Sequence, residues 1–140
     1  MLFLFVCKGN AGRSQMAEAL FKKIAKRHKC ISAGTEAEKR GKDVNMELPE
    51  TVIKCMKKED IDLTGVKRKQ LTLKMVRDAN KIIVINEPEE QETNPNFLKK
   101  SNKVIYWSIP DAKGTPLKFH DKVRDMVKKK IEELVRVVQG

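Results

Sequence analysis

Apolar residues form an unbroken run at the start of the chain and then change to a helical spacing. The run is Met-Leu-Phe-Leu-Phe-Val over residues 1–6, and a run without alternation is typical of a strand buried on both faces of a parallel sheet. After residue 14, apolar side chains recur every three to four positions, which predicts an amphipathic helix. Its apolar positions are Met16, Ala17, Leu20, Phe21, Ile24 and Ala25, and its polar face carries Gln15, Glu18, Lys22 and Lys23.

The pattern along the rest of the chain predicts an alternation of strands and helices. Strands are predicted at 29–32, 81–86 and 103–107, and helices at 49–58, 71–78 and from Pro116 onward. Residues 36–45 are predicted to be a polar loop, and 87–96 a loop or a broken helix. In the last helix the predicted inward positions are Phe119, Val123, Met126, Val127, Ile131, Leu134, Val135 and Val138.

This alternation indicates an α/β fold in which a parallel sheet is covered by helices on both faces. The length of 140 residues fits one domain over 1–140.

The chain is strongly basic, with 30 Lys and Arg residues against 19 Asp and Glu residues and a formal net charge of +11. Such a charge is compatible with a nucleic-acid partner. Only one Trp, one Tyr and five Phe are present, however, and none alternates with basic residues along a stripe. The lysines are spread over the whole chain. We therefore expect a solvated basic surface that favours anionic substrates, and nucleic acid is not the expected partner.

Three cysteines, Cys7, Cys30 and Cys55, are scattered and odd in number, which fits a reducing cytosol better than a disulfide scaffold. The first apolar run lacks a basic region before it and ends before residue 8, so it is not expected to be a signal peptide. No run reaches membrane-spanning length. We expect a cytoplasmic protein without a membrane partner. His28 and His120 stand alone without metal-ligand spacing, and we expect both at the surface.

The segment between the first strand and the first helix has the composition of an anion-binding loop. It reads Cys-Lys-Gly-Asn-Ala-Gly-Arg-Ser over residues 7–14. In open α/β sheets, ligands bind where the carboxyl end of a strand meets the amino end of a helix, whose N–H groups and dipole attract anions. The two glycines can turn the chain tightly or adopt positive φ, and the asparagine tolerates the left-handed conformation. The expected substrate-binding residues are Lys8, Gly9, Asn10, Ala11, Gly12 and Ser14.

Cys7 and Arg13 add a nucleophile and a charge clamp to this loop. A thiol at a helix N-terminus beside a cation is favoured as the thiolate, which is the nucleophilic form. The planar guanidinium of Arg13 can bind two oxygens of one phosphate. Ser14 either donates its hydroxyl to the sulfur or caps the helix. A cysteine at a strand end is commonly only a packing residue, but the whole strand, loop and helix arrangement favours a catalytic site.

A thiolate that attacks phosphorus needs an acid to protonate the leaving oxygen. Residues 108–114 follow the last predicted strand directly, and Asp111 in this segment is the candidate general acid. An aspartate in a turn also commonly accepts a hydrogen bond from its own backbone. Position alone leaves the two interpretations equally open.

Together these segments resemble the low-molecular-weight protein tyrosine phosphatase superfamily, which includes the thioredoxin-coupled arsenate reductases. The matching segments are residues 6–14, Met16-Ala17-Glu18, Ser32-Ala33-Gly34-Thr35, residues 60–65, Lys69-Gln70-Leu71-Thr72 and Ile109-Pro110-Asp111. The resemblance spans nearly the whole chain and implies a three-layer sandwich with a four-stranded parallel sheet in the order 2-1-3-4. It also implies Cys7 as nucleophile, Arg13 as phosphate clamp, Asn10 and Ser14 as loop supports, and Asp111 as general acid.

Two departures from the resemblance bear on the substrate. The phosphatases usually have proline and an aromatic residue after the acid, whereas Ala112, Lys113 and Gly114 stand here, and 36–45 contains no aromatic residue either. The reductases carry two further cysteines after the third strand, whereas 86–96 contains none. A relay of three cysteines is therefore not expected.

The sequence favours a cysteine-dependent phosphatase that hydrolyses phosphomonoesters through a cysteinyl-phosphate, with phosphotyrosine and other aryl phosphates as expected substrates. Residues 14–18 and 122–125 resemble the reductase branch, so an arsenate reductase that uses an external thiol donor is the alternative. A non-catalytic module that binds anions or nucleic acid is a third hypothesis. No metal or cofactor is expected, because Arg13 and the loop backbone carry the charge.

Overall fold

A parallel sheet lies at the centre of the molecule and positions every other element. In the computed structural model, which describes residues 1–40 and 47–139, four strands form one sheet in the order β2-β1-β3-β4. The strands are β1 (Leu2–Cys7), β2 (Lys29–Gly34), β3 (Lys81–Ile85) and β4 (Val104–Trp107). All three pairings are parallel, so the predicted order and direction are confirmed. Cys7 pairs with Gly34, and β1 and β2 therefore end level with each other.

Helices connect the strands and cover both faces of the sheet. They are α1 (Arg13–Ile24), α2 (Ala37–Arg40), α3 (Glu50–Lys57), α4 (Leu73–Asp78), α5 (Asn96–Lys99) and α6 (Leu117–Gln139), with a 3₁₀ helix at Pro88–Thr93. Of the two interpretations of 87–96, the broken helix is correct. The predicted loop over 36–45 is wrong in its first part, where α2 forms, and 41–45 lie outside the described residues. Along the described ranges, every helix is too short or too polar to cross a membrane.

β1 is buried on both faces because its side chains enter two separate cores. Phe3 and Phe5 belong to the larger core with α1, α3 and α6, whereas Leu4 and Val6 belong to the smaller core with α4 and α5. Successive side chains of a strand point to opposite faces, so a strand between two helical layers needs an unbroken apolar run. Phe21 of α1 contacts Phe3 and Phe5 with ring centroids 4.8 and 5.5 Å apart. The result is a three-layer sandwich, as the resemblance implies.

Four side chains differ from the amphipathic prediction. Ile24 and Met126, predicted to face inward, are 40% and 45% exposed. Ile24 ends α1, and Met126 lies beside the stripe of α6 that is buried. That stripe consists of Val123, Val127, Ile131 and Val135. Gln15 and Glu18, assigned to the polar face of α1, are buried because their side chains bind the loop and the neighbouring strand.

The end of β2 supports the loop after β1 by close backbone contact. The N–H of Thr35 donates to the carbonyl oxygen of Cys7 at 2.9 Å. A Cβ atom at Gly34 would lie 2.7 Å from the oxygen of Lys8 and 2.8 Å from the nitrogen of Asn10. Backbone atoms cannot rotate away as the end of a side chain can, so only glycine fits at this position without displacing the loop.

We predict that Gly34→Ala destabilises the protein by about 1–3 kcal/mol, the usual range for overpacking. The same change should weaken phosphate binding, because the added methyl group pushes against the backbone of residues 8–10. Urea unfolding followed by circular dichroism measures the first effect, and calorimetric titration with phosphate measures the second. Wild-type values in both experiments would contradict the close contact.

Candidate active site

The predicted strand, loop and helix meet at the carboxyl edge of the sheet. β1 ends at Cys7, residues 8–12 form the loop, and α1 begins at Arg13. The loop borders a cavity of about 210 Å³ whose wall includes Cys7, Gly9, Ala11, Gly12 and Arg13. Cys7 is only 2% exposed. A substrate therefore reaches the sulfur through this cavity.

The loop residue with a left-handed backbone conformation is Asn10. Asn10 has φ of 53°, whereas the described glycines with positive φ are Gly65 and Gly114. Of the two expectations for the glycines at 9 and 12, positive φ is therefore wrong, because the left-handed residue of the loop is Asn10. The ammonium group of Lys8 pairs with Glu36 at 3.4 Å.

Asn10 is held in one orientation, and this decides the direction of the hydrogen bonds that lead to the sulfur. Its Oδ1 accepts from the N–H of Lys69 at 2.8 Å and from Nε2 of Gln15 at 2.9 Å. A backbone N–H can only donate, so the amide oxygen must lie on this side. The Nδ2 group then donates to Oγ of Ser14 at 2.7 Å and to Oγ of Ser32 at 3.0 Å.

Ser14 consequently directs its own proton at Cys7. The Ser14 oxygen accepts from Asn10, and the Cys7 sulfur lies 2.9 Å from it. With the hydroxyl hydrogen donated to the sulfur, the sulfur is the acceptor, which is the arrangement that stabilises a thiolate. Of the two roles open to Ser14, the structure shows the contact with the thiol. No side chain caps the start of α1, where Gly12 precedes the helix.

A buried carboxylate lies at the far end of this hydrogen-bond chain. Ser32 Oγ–H donates to Oε1 of Glu18 at 2.6 Å, so the Ser32 oxygen is left to accept from Asn10. Glu18 is 9% exposed, and two lysine ammonium groups lie 2.9 and 3.8 Å from its oxygens. A signal for this role exists in the sequence. Glu18 stands four residues after Ser14, so both side chains share one face of α1.

The guanidinium of Arg13 binds the carboxylate of Glu90, a residue that the sequence analysis did not predict for the site. Its Nη1 and Nη2 donate to the two carboxylate oxygens of Glu90 at 2.7 and 2.8 Å, and Nη1 also donates to the Ile109 carbonyl at 2.9 Å. These bonds leave Nε–H and one Nη2–H for an anion, because a guanidinium has five donors. Burial alone would lower the pKa of Arg13, but the hydrogen bonds to Glu90 and the charges of Cys7, Glu90 and Asp111 raise it above its ordinary value.

Glu90 is kept ionised by the same contacts. Burial by itself would raise the pKa of Glu90, but hydrogen bonds from Arg13 and from the N–H of Glu87 lower it below the ordinary value. The free energy of unfolding that the Glu90–Arg13 ion pair contributes is therefore fully present above the ordinary glutamate pKa. It is lost as the pH falls through the lowered pKa of Glu90. Glu90 follows the carboxyl end of β3, and this position in the sequence is the signal that could have identified it as a site residue.

Asp111 makes the turn contact with its own segment and also lies near Arg13. Its Oδ1 accepts from the N–H of Lys113 at 3.0 Å, which is the turn contact. Its Oδ2 lies 3.8 Å from Nη2 of Arg13, and its side chain is 37% exposed. Asp111 lines the same cavity as Cys7. The structure thus brings Cys7, Arg13 and Asp111 together around one cavity.

Two buried residues of the cavity wall were not predicted. His120, expected at the surface, is 4% exposed and Arg68 is 7% exposed, and both line the cavity. Nδ1 of His120 lies 3.1 Å from the Pro116 carbonyl, which can only accept, so the neutral ring carries its hydrogen there. Nε2 then accepts from the hydroxyl of Thr51 at 3.2 Å. The His120 ring thus connects α6 with α3 near the segment that carries Asp111. No local sequence pattern predicts that this histidine is buried.

The other two cysteines are packing residues on β2 and α3. Burial raises the pKa of Cys30 to about 12 and that of Cys55 to about 11. Cys30 pairs with Phe3, which precedes Cys7 by four positions on β1, so the Cα atoms of the two cysteines are at least about 13 Å apart. A disulfide needs a separation below about 7 Å. Cys30 is therefore not placed to relay electrons from Cys7.

We expect iodoacetate at neutral pH to alkylate Cys7 in the folded protein and to leave Cys30 and Cys55 unmodified. The reagent is an anion that fits the loop, whereas burial keeps the other two sulfurs protonated. Peptide mass spectrometry locates the label, and added phosphate should protect against it. Labelling of Cys30 or Cys55 at a rate similar to that of Cys7 would contradict this assignment.

Replacing Ser14 by Ala should slow this alkylation about tenfold, because a hydrogen bond to a charged group contributes about 1.5–3 kcal/mol. The matched control is Ser108→Ala, which removes an exposed hydroxyl outside the network and should keep the wild-type rate. The time course of labelling at fixed pH is the measurement. An unchanged rate for Ser14→Ala would show that the Ser14 proton does not act on the sulfur.

Comparison with known proteins places the chain in a family. The family model described as "Low molecular weight phosphotyrosine protein phosphatase" matches residues 3–140. Arsenate reductase 1 of Bacillus cereus is 30% identical over 132 residues, which cover 92% of this chain and 90% of that protein. An arsenate reductase of Staphylococcus aureus is 30% identical over 129 residues, which cover 91% of each chain.

Solved structures show the same fold at lower identity. A YwlE mutant from Bacillus subtilis superposes with a TM-score of 0.86 at 24% identity, over 100% of this chain and 99% of the other. Wzb from Vibrio vulnificus in complex with benzylphosphonate gives a TM-score of 0.87 at 20% identity, over 96% of this chain and 97% of the other. Because the family match spans nearly the whole chain, the protein belongs to the low molecular weight phosphotyrosine protein phosphatase family and is an enzyme of the phosphatase and arsenate reductase type.

Proposed function

We propose that the protein hydrolyses phosphomonoesters through a cysteinyl-phosphate, with Cys7 as nucleophile, Arg13 as phosphate clamp and Asp111 as general acid. The observation that carries the proposal is the directed hydrogen bond from Ser14 to the sulfur, 2.9 Å long, on the wall of the cavity. A sulfur held as an acceptor beside a buried guanidinium is prepared to attack an anion that the guanidinium binds.

In the first step the phosphate group enters the loop. Backbone N–H groups of residues 8–12 and the two remaining N–H groups of Arg13 bind its oxygens. Cys7 attacks the phosphorus, and the S–P bond forms as the P–O bond to the leaving group breaks. Asp111, protonated at this stage, gives its proton to the leaving oxygen. Acceleration comes from donors that fit the trigonal-bipyramidal oxygens better than those of the ground state.

In the second step Asp111, now a carboxylate, takes a proton from a water molecule that attacks the phosphorus. The S–P bond breaks, inorganic phosphate leaves, and Cys7 returns to the thiolate. A solved YwlE arginine phosphatase mutant, with a TM-score of 0.86 to this chain at 24% identity, carries a phosphorylated serine in its active site. A phosphorylated side chain on this fold supports the covalent intermediate proposed here.

Aryl phosphates, including phosphotyrosine in proteins, are the substrates that we propose first. The bound benzylphosphonate of the Vibrio vulnificus relative combines a phosphorus acid with an aromatic ring. Among the described residues, the cavity wall of this chain contains no Phe, Tyr or Trp. We therefore propose that a ring is accepted but that it is not gripped between aromatic side chains.

Arsenate reduction with an external thiol is the second candidate, and the names of the curated relatives favour it. Arsenate has the shape and charge of phosphate, so Cys7 would form an S–As bond in the same loop while one As–O bond breaks and the protonated oxygen leaves as water. A donor thiol then attacks the Cys7 sulfur, which leaves a mixed disulfide and releases arsenite with the electron pair. A second donor thiol reduces this disulfide. In this proposal both thiols come from the donor, because residues 86–96 contain no cysteine and Cys30 lies about 13 Å from Cys7.

We also propose that the chain forms one domain over 1–140 that works in the reducing cytoplasm. The three cysteines are unpaired and buried, as such a compartment allows. A phosphoester, or arsenate with a thiol donor, is the partner in this proposal. Neither a membrane nor a nucleic acid is part of it.

Cys7→Ser is expected to abolish hydrolysis of p-nitrophenyl phosphate, and EDTA is expected to have no effect. Asp111→Asn should lower kcat/KM, which reports the steps up to P–O cleavage, about 10²–10⁴-fold for phenyl phosphate, the usual contribution of general acid catalysis. The loss should be smaller for p-nitrophenyl phosphate, because nitrophenolate leaves without a proton. Steady-state kinetics on the two esters measure the difference.

The matched control for the acid is Asp121→Asn, since Asp121 pairs with Lys58 on the helical face outside the cavity wall. It should keep wild-type kcat on both esters. Full activity of Cys7→Ser would refute the covalent mechanism, and an equal loss of kcat/KM on both esters would remove Asp111 from its role as proton donor. Arsenite production with thioredoxin or glutathione tests the second candidate.

A further inference from the structure

We infer that Thr115 and His120 are positioning residues for Asp111, and that they hold the turn that presents its carboxyl group to the leaving oxygen. This inference rests on the proposed phosphatase function, in which Asp111 is the general acid. Among the described residues, the cavity wall includes Asp111 and His120 but not Thr115. Thr115 therefore acts on the reaction only through the turn.

The turn that follows Asp111 closes on the hydroxyl group of Thr115. Oδ1 of Asp111 accepts from the N–H of Lys113 at 3.0 Å inside this turn. The N–H and the hydroxyl of Thr115 both donate to the carbonyl of Ala112, at 3.0 and 2.6 Å. Ala112 is bonded directly to Asp111, so any movement of this carbonyl also moves the carboxyl group of the acid.

His120 fixes the direction of the Thr115 hydroxyl. A carbonyl can only accept, so the Thr115 hydroxyl donates to Ala112 and its oxygen is left to accept. Nδ1 of His120 lies 3.3 Å from this oxygen and 3.1 Å from the carbonyl oxygen of Pro116. The neutral ring carries its hydrogen on Nδ1, and the two oxygens share it. The ring thus holds Thr115 with its hydroxyl hydrogen pointing at the turn.

The other side of the His120 ring is anchored on a second helix. Nε2 accepts from the hydroxyl of Thr51 at 3.2 Å, and Thr51 lies in the first turn of α3. α3 packs against α6, which carries His120 in its own first turn. The ring is 4% exposed, so water competes little for these bonds. The turn of the acid is therefore connected to two packed helices as well as to its own backbone.

The reaction makes the position of this turn important. A proton donor acts within about 2.6–3.2 Å of the atom that receives the proton, and a displacement of about 1 Å can cost 10²-fold in rate. The Asp111 side chain is 37% exposed, so packing restrains it on only part of its surface. The hydrogen-bonded turn behind the carboxyl group supplies further restraint.

The test uses the full chain and two esters that differ in their need for a proton. Phenyl phosphate needs the acid, whereas nitrophenolate leaves p-nitrophenyl phosphate without it. Thr115→Val removes the hydroxyl and keeps the branched shape. We expect kcat/KM for phenyl phosphate to fall about tenfold, the upper range for one hydrogen bond between neutral groups, and kcat/KM for p-nitrophenyl phosphate to change less than about twofold. Thr115→Ser keeps the hydroxyl and should restore the wild-type value on phenyl phosphate.

The matched control is Thr72→Val, because the Thr72 hydroxyl accepts from the N–H of Met75 at the start of α4, away from the cavity wall. It should keep both values of kcat/KM. His120→Phe keeps a ring without its nitrogens and should give the same loss on phenyl phosphate relative to p-nitrophenyl phosphate. The double variant with Thr115→Val should show about the same tenfold relative loss rather than the product of two, since the residues act as one chain.

A loss below about twofold on phenyl phosphate in Thr115→Val, or an equal loss on both esters, would overturn the inference. A loss in Thr115→Ser as large as that in Thr115→Val would also overturn it. If Thr115→Val does not fold, His120→Phe and Thr51→Val are measured on the same esters, and an unchanged ratio between the esters in both overturns it. An equal loss on both esters in Asp111→Asn would instead refute the proposed role of the acid itself.

Discussion

The buried hydrogen-bond chain from Glu18 to Cys7 is the constraint on which the rest of the site depends. The direction of each hydrogen bond in it is fixed, because a carboxylate can only accept and a backbone N–H can only donate. Glu18 accepts a hydrogen bond from the Ser32 hydroxyl, Asn10 donates its two amide hydrogens to the two serines, and the Ser14 hydroxyl hydrogen is left to point at the sulfur. Burial strengthens each of these bonds and makes any unpaired member costly.

The strand order explains how one short loop receives support from so many directions. β1 lies between β2 and β3, so the loop after it has a neighbour on each side. β2 supplies Ser32 and the close contact at Gly34, and the segment after β3 supplies Glu90 behind Arg13. The segment after β4 supplies Asp111. Parallel strands end at the same edge, and this brings four distant pieces of sequence together around one loop.

The sequence predicts the roles that depend on neighbouring residues. It does not predict the roles that depend on contacts between residues far apart in the chain. The unbroken run of β1 and the loop from Cys7 to Ser14 are local patterns, and both could be predicted. Glu90 lies 77 residues from Arg13, so its role depends on a contact that no local pattern records. Met126 was assigned inward because helical spacing alone cannot distinguish a buried stripe from the position beside it. For Asp111 the sequence left a turn residue and a general acid equally open. The structure shows the turn contact and places the side chain on the cavity wall with Cys7.

The register of β1 against β2 also determines how this enzyme can recover from oxidation. Peroxide converts an accessible thiolate to a sulfenic acid, which is rescued when a second thiol condenses with it before further oxygen is added. Cys30 is on the adjacent strand but level with Phe3, so its Cα atom lies about 13 Å from that of Cys7. Cys55 is buried on α3. Cys30 is therefore not placed to resolve an oxidised Cys7. Rescue of a sulfenic acid at Cys7 would depend on a thiol from a source other than β2.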